Sequence, residues 1–416
     1  MNSERVRIQK LVFGGQGLTE LSSGKKAFVW GVLPGEQVDI RIIKKRKDYV
    51  EAVAENIVEA STERILPSEE NYLSTSPWQI MQYDAENKHK NEIISEIFGR
   101  EHINLPDFKF IFKEHMFEYR NKMEFSFWGD DAGLHLALHR RGSHGKEIVN
   151  GSKLALPAVN NGAKAILSEL NGCDIRAGSL KTVIVRASQS GKVASSLFVK
   201  TEDFPTLNLP DGIGGLNVWY SNPKSPASVM TKLLYSLGDD MVSDTLLGKD
   251  FVYNCDSFFQ VNLPIFNEVL STIKEYIIDG QVVDMYGGVG SIGISVANAP
   301  TIIEINETAT SMAKLNTKNT NARVINTSSE KALEYIEPKT ILIVDPPRAG
   351  LHGLIVKRIL ENPPKQIVYL SCNPSTQARD ITLLKEKYDI SFFEGYNFFP
   401  RTPHIETLAI LQRKTI

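Results

Sequence analysis

Residues 282–293 read Val-Val-Asp-Met-Tyr-Gly-Gly-Val-Gly-Ser-Ile-Gly, an apolar strand that leads through a glycine-rich turn into a helix. Glycine allows the backbone to approach a ligand closely at a turn of this kind. Glu304 ends the next predicted strand, about twenty residues further on, where a carboxylate can hold the hydroxyls of a ribose. The stretch therefore predicts a nucleoside cofactor. Its spacing fits a dinucleotide and S-adenosylmethionine equally well.

The chain from about residue 246 onward alternates between predicted strands and predicted helices. The strands cover residues 281–284, 301–304, 340–345 and 366–371, and the helices cover residues 264–278, 291–297, 307–319, 351–360 and 374–386. Such alternation is typical of a parallel sheet with helices on both faces, which residues 392–396 and 407–412 would close. We therefore predict an α/β fold whose ligands bind at the carboxyl ends of the strands.

Two more strand ends carry polar groups to that edge. Asp345 begins the stretch Asp-Pro-Pro-Arg, and its two prolines make the loop rigid because each fixes its own φ. Cys372 lies in the turn-like stretch Ser-Cys-Asn-Pro, and a helix beginning at Pro374 would stabilise a thiolate at its N-terminus. We expect Cys372 to be an accessible nucleophile and not a core residue.

Further candidates lie on either side of the alternating region. His404 and Glu406 share one loop, and either could act as a general base if it faces Cys372. Gln260 lies in an amphipathic segment before the sheet, where its amide could bond a cofactor. The aromatic residues 258 and 259 of that segment are expected to pack in the core.

Composition limits the class of protein. The 416 residues exceed what one hydrophobic core normally serves, so two or three domains are expected. The 42% hydrophobic and 23% charged residues are ordinary for a globular protein, and a net charge of −2 excludes a basic nucleic-acid coat protein. No apolar run approaches about 18 residues and the N-terminus has no apolar signal core, so we expect a cytoplasmic protein without a membrane span.

Three domains are predicted, at residues 1–60, 61–245 and 246–416. The first has strand-like runs at 6–12, 27–32, 37–43 and 50–57 between glycine turns, which favours a small barrel that binds nucleic acid. Its basic run at 44–47 is either a solvated hairpin tip or a phosphate contact. The second domain is mixed, with strands at 183–186 and 195–200 and a glycine hairpin turn at 212–215.

The three cysteines, Cys173, Cys255 and Cys372, are far apart in the chain. This spacing excludes a disulfide scaffold and a Cys-x-x-Cys metal site. We expect reduced thiols and no bound metal.

Taken in order, these motifs resemble those of the RNA 5-methyluridine methyltransferase family. The set is Phe259-Gln-Val-Asn262, Asp284-Met-Tyr-Gly-Gly-Val-Gly290, Asp345-Pro-Pro-Arg348, Ser371-Cys-Asn-Pro374 and His404-Ile-Glu406. Residues 14–17, 32–36 and the basic run look like the TRAM RNA-binding domain of the larger members, and residues 119–126 look like the family's central domain. The resemblance implies a Rossmann-like class I methyltransferase domain after a TRAM- or OB-like barrel and an α+β RNA-recognition domain.

The resemblance also implies roles for single residues. Cys372 matches the family nucleophile and Glu406 matches the base that removes the C5 proton. The positions that match S-adenosylmethionine-binding residues are Gln260, Tyr286, Ser291, Glu304 and Asp345. Some relatives have an asparagine where this chain has Ser291.

The implied chemistry requires a nucleophile because uracil C5 is not reactive enough to take a methyl group directly. Attack of a thiolate on C6 creates an enolate that makes C5 reactive. The target base must leave its stack, which favours an RNA loop or a flipped-out nucleotide. The implied partner is RNA, with 23S ribosomal RNA expected first and transfer RNA second, and the expected state is a monomer.

The chain departs from the larger family members at residues 67–79, where they often carry cysteines of an iron–sulfur site. That stretch contains no cysteine here, so we expect no cluster.

Three other functions stay open on the sequence. An amino-directed nucleic-acid methyltransferase also uses an acid-Pro-Pro loop but needs no nucleophile. A nicotinamide dehydrogenase would leave Cys372 and Asp345 without a role. A non-catalytic RNA-binding protein would use only the N-terminal barrel.

Overall fold

The computed structural model describes residues 3–142 and 145–415. The N-terminal part is a six-stranded sheet with strand order β1-β5-β6-β4-β3-β2. The strands are Ser3–Arg7 (β1), Lys10–Leu11 (β2), Gly17–Glu20 (β3), Lys26–Trp30 (β4), Gln37–Lys45 (β5) and Tyr49–Glu59 (β6). Only Ile8 and Gln9 separate β1 from β2, although these strands form the two edges, so the sheet curls around one core that includes Val29, Val38 and Ile40. This agrees with the small barrel expected from the glycine turns.

The basic run lies at the tip of the β5–β6 hairpin, where all four side chains at residues 44–47 are exposed. Arg46 lies 3.5 Å from Glu51 in an exposed ion pair. The run therefore lies at an exposed hairpin tip, and its contact with phosphate stays a prediction.

The middle of the chain forms a seven-stranded sheet with strand order β10-β9-β8-β11-β12-β13-β14. It follows two helices and a short strand, Tyr72–Thr75 (α1), Tyr83–Arg100 (α2) and Phe110–Ile111 (β7). The elements of the sheet region are Lys122–Asp130 (β8), Gly133–His139 (β9), Lys146–Ile148 (β10), Pro157–Gly172 (α3), Leu180–Ala187 (β11), Val193–Val199 (β12), Gly215–Tyr220 (β13) and Lys232–Gly238 (β14). Helix α3 packs on one face of the sheet through Val159, Ala163 and Ile166.

The glycines at residues 212–215 do not make a hairpin turn, so that prediction is wrong. Strands β12 and β13 run parallel, and parallel neighbours need a crossover connection. Gly215 instead permits a close approach, because a Cβ there would run into the backbone of Asp239 and Asp240.

The C-terminal part begins with a hairpin of Met241–Leu246 (β15) and Lys249–Asn254 (β16) and continues as the predicted alternation. Its helices are Leu263–Tyr276 (α4), Ser291–Val296 (α5), Glu307–Asn316 (α6), Gly353–Glu361 (α7) and Pro374–Leu384 (α8). Its strands are Gln281–Met285 (β17), Thr301–Glu304 (β18), Arg323–Asn326 (β19), Thr340–Val344 (β20), Gln366–Ser371 (β21), Tyr388–Tyr396 (β22) and Glu406–Arg413 (β23). The α/β fold and each predicted element are confirmed, and β19 is an additional strand.

The sheet order is β19-β18-β17-β20-β21-β23-β22-β7. Strands β17 to β21 are parallel, whereas β23 is antiparallel to both β21 and β22. Alternate residues of β17 enter different cores: Val283 packs with α7 and α8, and Val282 packs with α4. This is why the central strands read as continuous apolar runs and not as alternating ones.

Two elements from the predicted central domain also belong to this assembly. Strand β7 pairs with β22 at the edge of the sheet, and α2 contributes Ile94 and Phe98 to the core beside α8. The domain boundaries at residues 60 and 245 stay a prediction. None of the helices within residues 3–142 and 145–415 is long and apolar enough to cross a lipid bilayer.

Candidate active site

A cavity of about 670 Å³ opens at the carboxyl ends of the parallel strands. Six of the seven residues to which the family resemblance assigns roles line it, namely Gln260, Tyr286, Glu304, Asp345, Cys372 and Glu406. They meet because consecutive parallel strands end at the same edge of the sheet. Ser291 is the first residue of α5 and is not among the residues that line the cavity.

The glycine turn after β17 holds the carboxylate of Glu304. The backbone N–H of Gly288 donates to Oε2 at 2.9 Å, and that of Asn306 donates to Oε1 at 2.7 Å. A Cβ on Gly287 would lie 2.6 Å from Ile302, so only glycine permits this close approach. Tyr286 adopts a φ of 63°, in the left-handed region. The turn therefore presents Glu304 to the cavity in a fixed orientation.

Asp284 supports the turn from behind. Its side chain is buried, and Oδ2 accepts the N–H of Gly293 at 2.8 Å. Burial raises the pKa of Asp284 to about 7. This carboxyl group ties the end of β17 to α5.

Cys372 and Glu406 face each other across neighbouring strands. Ser371 of β21 pairs with Thr407 of antiparallel β23. One residue further along the first strand and one residue back along the second, Cys372 therefore lies opposite Glu406. Asn373 begins α8 by accepting the N–H of Ser375, and its Nδ2 donates to the carbonyl of Arg348 at 2.8 Å. The loops that carry Asp345 and Cys372 are thus joined by a hydrogen bond.

The surroundings of Cys372 favour the neutral thiol, which is opposite to the effect expected from the start of α8. Burial, together with the nearby acids Glu406 and Asp345, raises its pKa to about 11, whereas Arg348 opposes them. Desolvation and the two nearby acids both disfavour a negative charge on the sulfur.

The two acids are themselves perturbed. Burial, with a contribution from Asp345, raises the pKa of Glu406 well above its ordinary value, whereas Arg348 lowers it. Burial raises the pKa of Asp345 to about 7. Perturbed acids of this kind cluster at functional sites, and a base with a raised pKa binds a proton more strongly once it is ionised.

His404 lines the cavity but is poorly suited to be the base. Burial and the charge of Arg348 lower its pKa to about 3. Its Nδ1 lies 3.3 Å from Nη2 of Arg348, which donates, so the ring proton sits on Nε2. Of the two candidates in this loop, Glu406 is therefore the stronger base, and it accepts a proton only once it is ionised.

Several lining residues were missed from the sequence. Phe258 was expected in the core, yet it is 64% exposed at the cavity, whereas Phe259 is buried and stacks on Tyr253 with ring centroids 4.0 Å apart. Successive residues of an extended segment point to opposite sides, so only one of the two aromatic rings can enter the core. The other missed lining residues are Arg120, Lys122, Asp256, Arg348 and Phe399.

The raised pKa of Cys372 predicts its reactivity. Alkylation of Cys372 by iodoacetamide should be slow at pH 7 and should accelerate about tenfold per pH unit up to about pH 10, because only the thiolate reacts. Mass spectrometry of the peptide that contains Cys372 would give the rate, with glutathione as a free-thiol control. A plateau below pH 9 would contradict the neutral thiol.

Among the described residues, no three or more His, Cys, Asp or Glu side chains are grouped so that they could hold a metal ion. Cys173 is exposed and Cys255 is buried, both outside the cavity.

Residues 228–414 match the family model described as tRNA (Uracil-5-)-methyltransferase. A protein of Thermotoga maritima, described as an uncharacterized RNA methyltransferase, is 28% identical over 444 residues, which cover 98% of both chains. A protein of Enterococcus faecalis with the same description is also 28% identical, and the match covers 98% of this chain and 96% of the relative.

The fold is also similar to a solved structure. A crystal structure from Pyrococcus abyssi, described as tRNA (uracil-54, C5)-methyltransferase in complex with S-adenosyl-L-homocysteine, superposes with a TM-score of 0.79 at 23% identity. The match covers 98% of this chain and all of that one. The three-part architecture is therefore shared over the full length of both chains.

Proposed function

We propose that this chain transfers a methyl group from S-adenosylmethionine to C5 of a uracil in RNA through a covalent adduct. The match of residues 228–414 to the family model described as tRNA (Uracil-5-)-methyltransferase supports this proposal. The observation that carries the covalent route is the placement of Cys372 opposite Glu406 at the end of the nucleoside cavity. An amino-directed methyltransferase or a dehydrogenase has no use for this pair.

The cavity suits S-adenosylmethionine. The glycine turn and the fixed carboxylate of Glu304 are suited to bind the ribose of a nucleoside. Gln260 and Tyr286 line the same cavity. Asp256 and Asp345 add negative charge, which favours a cationic sulfonium over the anionic pyrophosphate of a dinucleotide. The bound cofactor would supply an electrophilic methyl group.

The residues of the chain would act in sequence. The sulfur of Cys372 forms a bond to C6 of uracil, and the thiol proton passes to a nearby carboxylate, for which Asp345 has a suitable pKa of about 7. The C5 carbon of the resulting enolate would take the methyl group that bound S-adenosylmethionine supplies, and S-adenosylhomocysteine would be the leaving group. Glu406 then removes the C5 proton, the bond between sulfur and C6 breaks, and Cys372 is restored.

The enolate carries negative charge that the site must balance. Arg120, Lys122 and Arg348 line the cavity and supply positive charge near the base. Neutral His404 adds an N–H donor at Nε2. These groups explain why a cavity with four acids can still bind a nucleotide.

The proposal also covers the class of RNA that is methylated. We infer 23S ribosomal RNA, supported by the TRAM-like motifs of the N-terminal barrel, with transfer RNA as the second candidate. The Pyrococcus neighbour is described as a transfer-RNA enzyme and its structure matches 98% of this chain, which supports transfer RNA as the second candidate. We also propose that the protein is located in the cytoplasm and that it is a monomer.

The test uses the full-length protein with tritiated S-adenosylmethionine and separated ribosomal and transfer RNA lacking 5-methyluridine. Nucleoside analysis should place the label in 5-methyluridine of one fraction. Label in a methylated exocyclic amine would support the amino-directed alternative. Tight RNA binding without any methyl transfer would support a non-catalytic RNA-binding protein.

The pKa of Asp345 predicts a pH dependence of cofactor binding. Because its carboxylate forms as the pH rises through about 7, the affinity for cationic S-adenosylmethionine should increase up to about tenfold between pH 6 and pH 8. Titration calorimetry would measure this change. The uncharged thioether of S-adenosylhomocysteine should show a smaller change, and Asp345→Asn should flatten the curve. An affinity for S-adenosylmethionine that falls with rising pH would contradict this role.

A further inference from the structure

The loop of residues 397–405 joins β22 to β23 and forms one wall of the cavity. Phe399 and His404 of this loop line the cavity immediately before Glu406, and their rings contact edge to face with centroids 5.5 Å apart. The contacts that hold this loop in place therefore determine the shape of the cavity wall beside Cys372.

A buried ion pair on α2 holds the loop. Lys90 and Glu86 are one helical turn apart, and both side chains are fully buried. The ammonium of Lys90 donates to Glu86 at 2.9 Å, to Oδ1 of Asn397 at 2.7 Å and to the carbonyl of Phe399 at 3.2 Å. All three donors of the ammonium are thus used, two of them by the loop.

The carboxylate of Glu86 also binds the loop. It accepts the backbone N–H of Arg401 at 3.0 Å on each oxygen and Nδ2 of Asn397 at 3.0 Å. The hydrogen-bonding groups of the pair therefore join α2 to a segment more than 300 residues further along the chain.

The backbone of the loop needs such support. Arg401 has a φ of 65°, in the left-handed region that disfavours residues other than glycine. Its guanidinium donates to the carbonyl of Met81 at 2.7 Å, and Tyr119 donates to the carbonyl of Pro400 at 3.0 Å. On the other side, a Cβ on Gly15 would lie 2.5 Å from Pro403, so the N-terminal barrel also packs closely on the loop.

Stability alone does not account for a buried ion pair at these positions. Replacing a buried ion pair by apolar residues of similar volume is often neutral or stabilising, because desolvation offsets the attraction. We propose that Glu86 and Lys90 are positioning residues, which hold the wall formed by Phe399 and His404 so that the target uracil lies against Cys372. The proposal rests on the proposed methyltransferase function and adds two residues to it.

The test compares the rate of the first covalent step with cofactor affinity. Glu86→Gln/Lys90→Met removes both charges of the pair, but the buried guanidinium of Arg401 then loses the carboxylate that lies 3.8 Å away. Asn397→Ala therefore serves as a second variant, which keeps all three charges. We expect covalent adduct formation with 5-fluorouridine RNA to slow by about 10- to 100-fold, because small displacements of a reacting group cost that much. The affinity for S-adenosylhomocysteine should stay within about twofold, since Gln260, Glu304 and the glycine turn lie on other elements.

Lys88→Met is the matched control, because Lys88 lies on the same helix with an exposed side chain and should react at the wild-type rate. Adduct formation at the wild-type rate in the folded variants would overturn the proposal, as would an equal loss of cofactor affinity, which indicates general damage. Failure of the wild-type protein to form any adduct would instead refute the proposed function.

Discussion

Cys372→Ala should lower methyl transfer to RNA by roughly 10⁴-fold or more, the scale seen when an enzyme loses its nucleophile. The expected loss is this large because uracil C5 has no other route to reactivity in the cavity. Methyl transfer from tritiated S-adenosylmethionine to RNA would measure it. The variant should also form no denaturation-resistant adduct with 5-fluorouridine RNA, which the wild-type protein should form.

Two controls separate this effect from damage to the fold. Cys173→Ala changes an exposed thiol outside the cavity and should keep wild-type turnover. Binding of S-adenosylhomocysteine to Cys372→Ala should remain within about twofold of wild type, because the thiol only borders the nucleoside site. Full turnover in Cys372→Ala would exclude the covalent route and favour an amino-directed methyltransferase.

Glu406→Gln should lower turnover by about 10²- to 10⁴-fold, the usual contribution of a general base. The block should come after methyl transfer, because the amide cannot take the C5 proton and the bond between Cys372 and C6 then cannot break. Up to one methylated RNA should stay attached to each protein molecule. A denaturing gel with label in the methyl group would show this complex.

His404→Ala is the matched control for Glu406→Gln. His404 lines the same cavity but has a pKa near 3, so its loss should not trap a methylated adduct. Repeated turnover by Glu406→Gln without a trapped complex would show that another group removes the proton. Accumulation of the same complex in His404→Ala would assign that step to the histidine.

The catalytic sheet was predictable because its signals are local. The apolar runs before Asp284, Asp345 and Cys372 are strands buried on both faces, and each polar residue stands where its strand ends. Parallel connection then brings such ends to one edge, whatever their distance along the chain. Strand β19 was missed because Arg323–Asn326 is short and carries polar residues at both ends.

Other features depend on which segments meet. The sequence of residues 257–260 does not say which phenylalanine turns outward, and the structure places Phe258 at the cavity and Phe259 on Tyr253. The glycine pattern at residues 212–215 is common in hairpins, but β12 and β13 pair in parallel and cannot be joined by a hairpin turn.

The residues of the site could be named from the sequence, but their ionisation depends on the tertiary structure. By itself the sequence determined the fold class and the candidate nucleophile, since both follow from residue type and position at a strand end. It left both His404 and Glu406 as candidate bases, and only the family resemblance favoured Glu406. Only the tertiary structure decided that the Cys372 thiol is neutral, that His404 is a weak base, and that Glu86 and Lys90 hold the cavity wall. Desolvation and charge act through space, so these properties depend on neighbours that are distant in the chain.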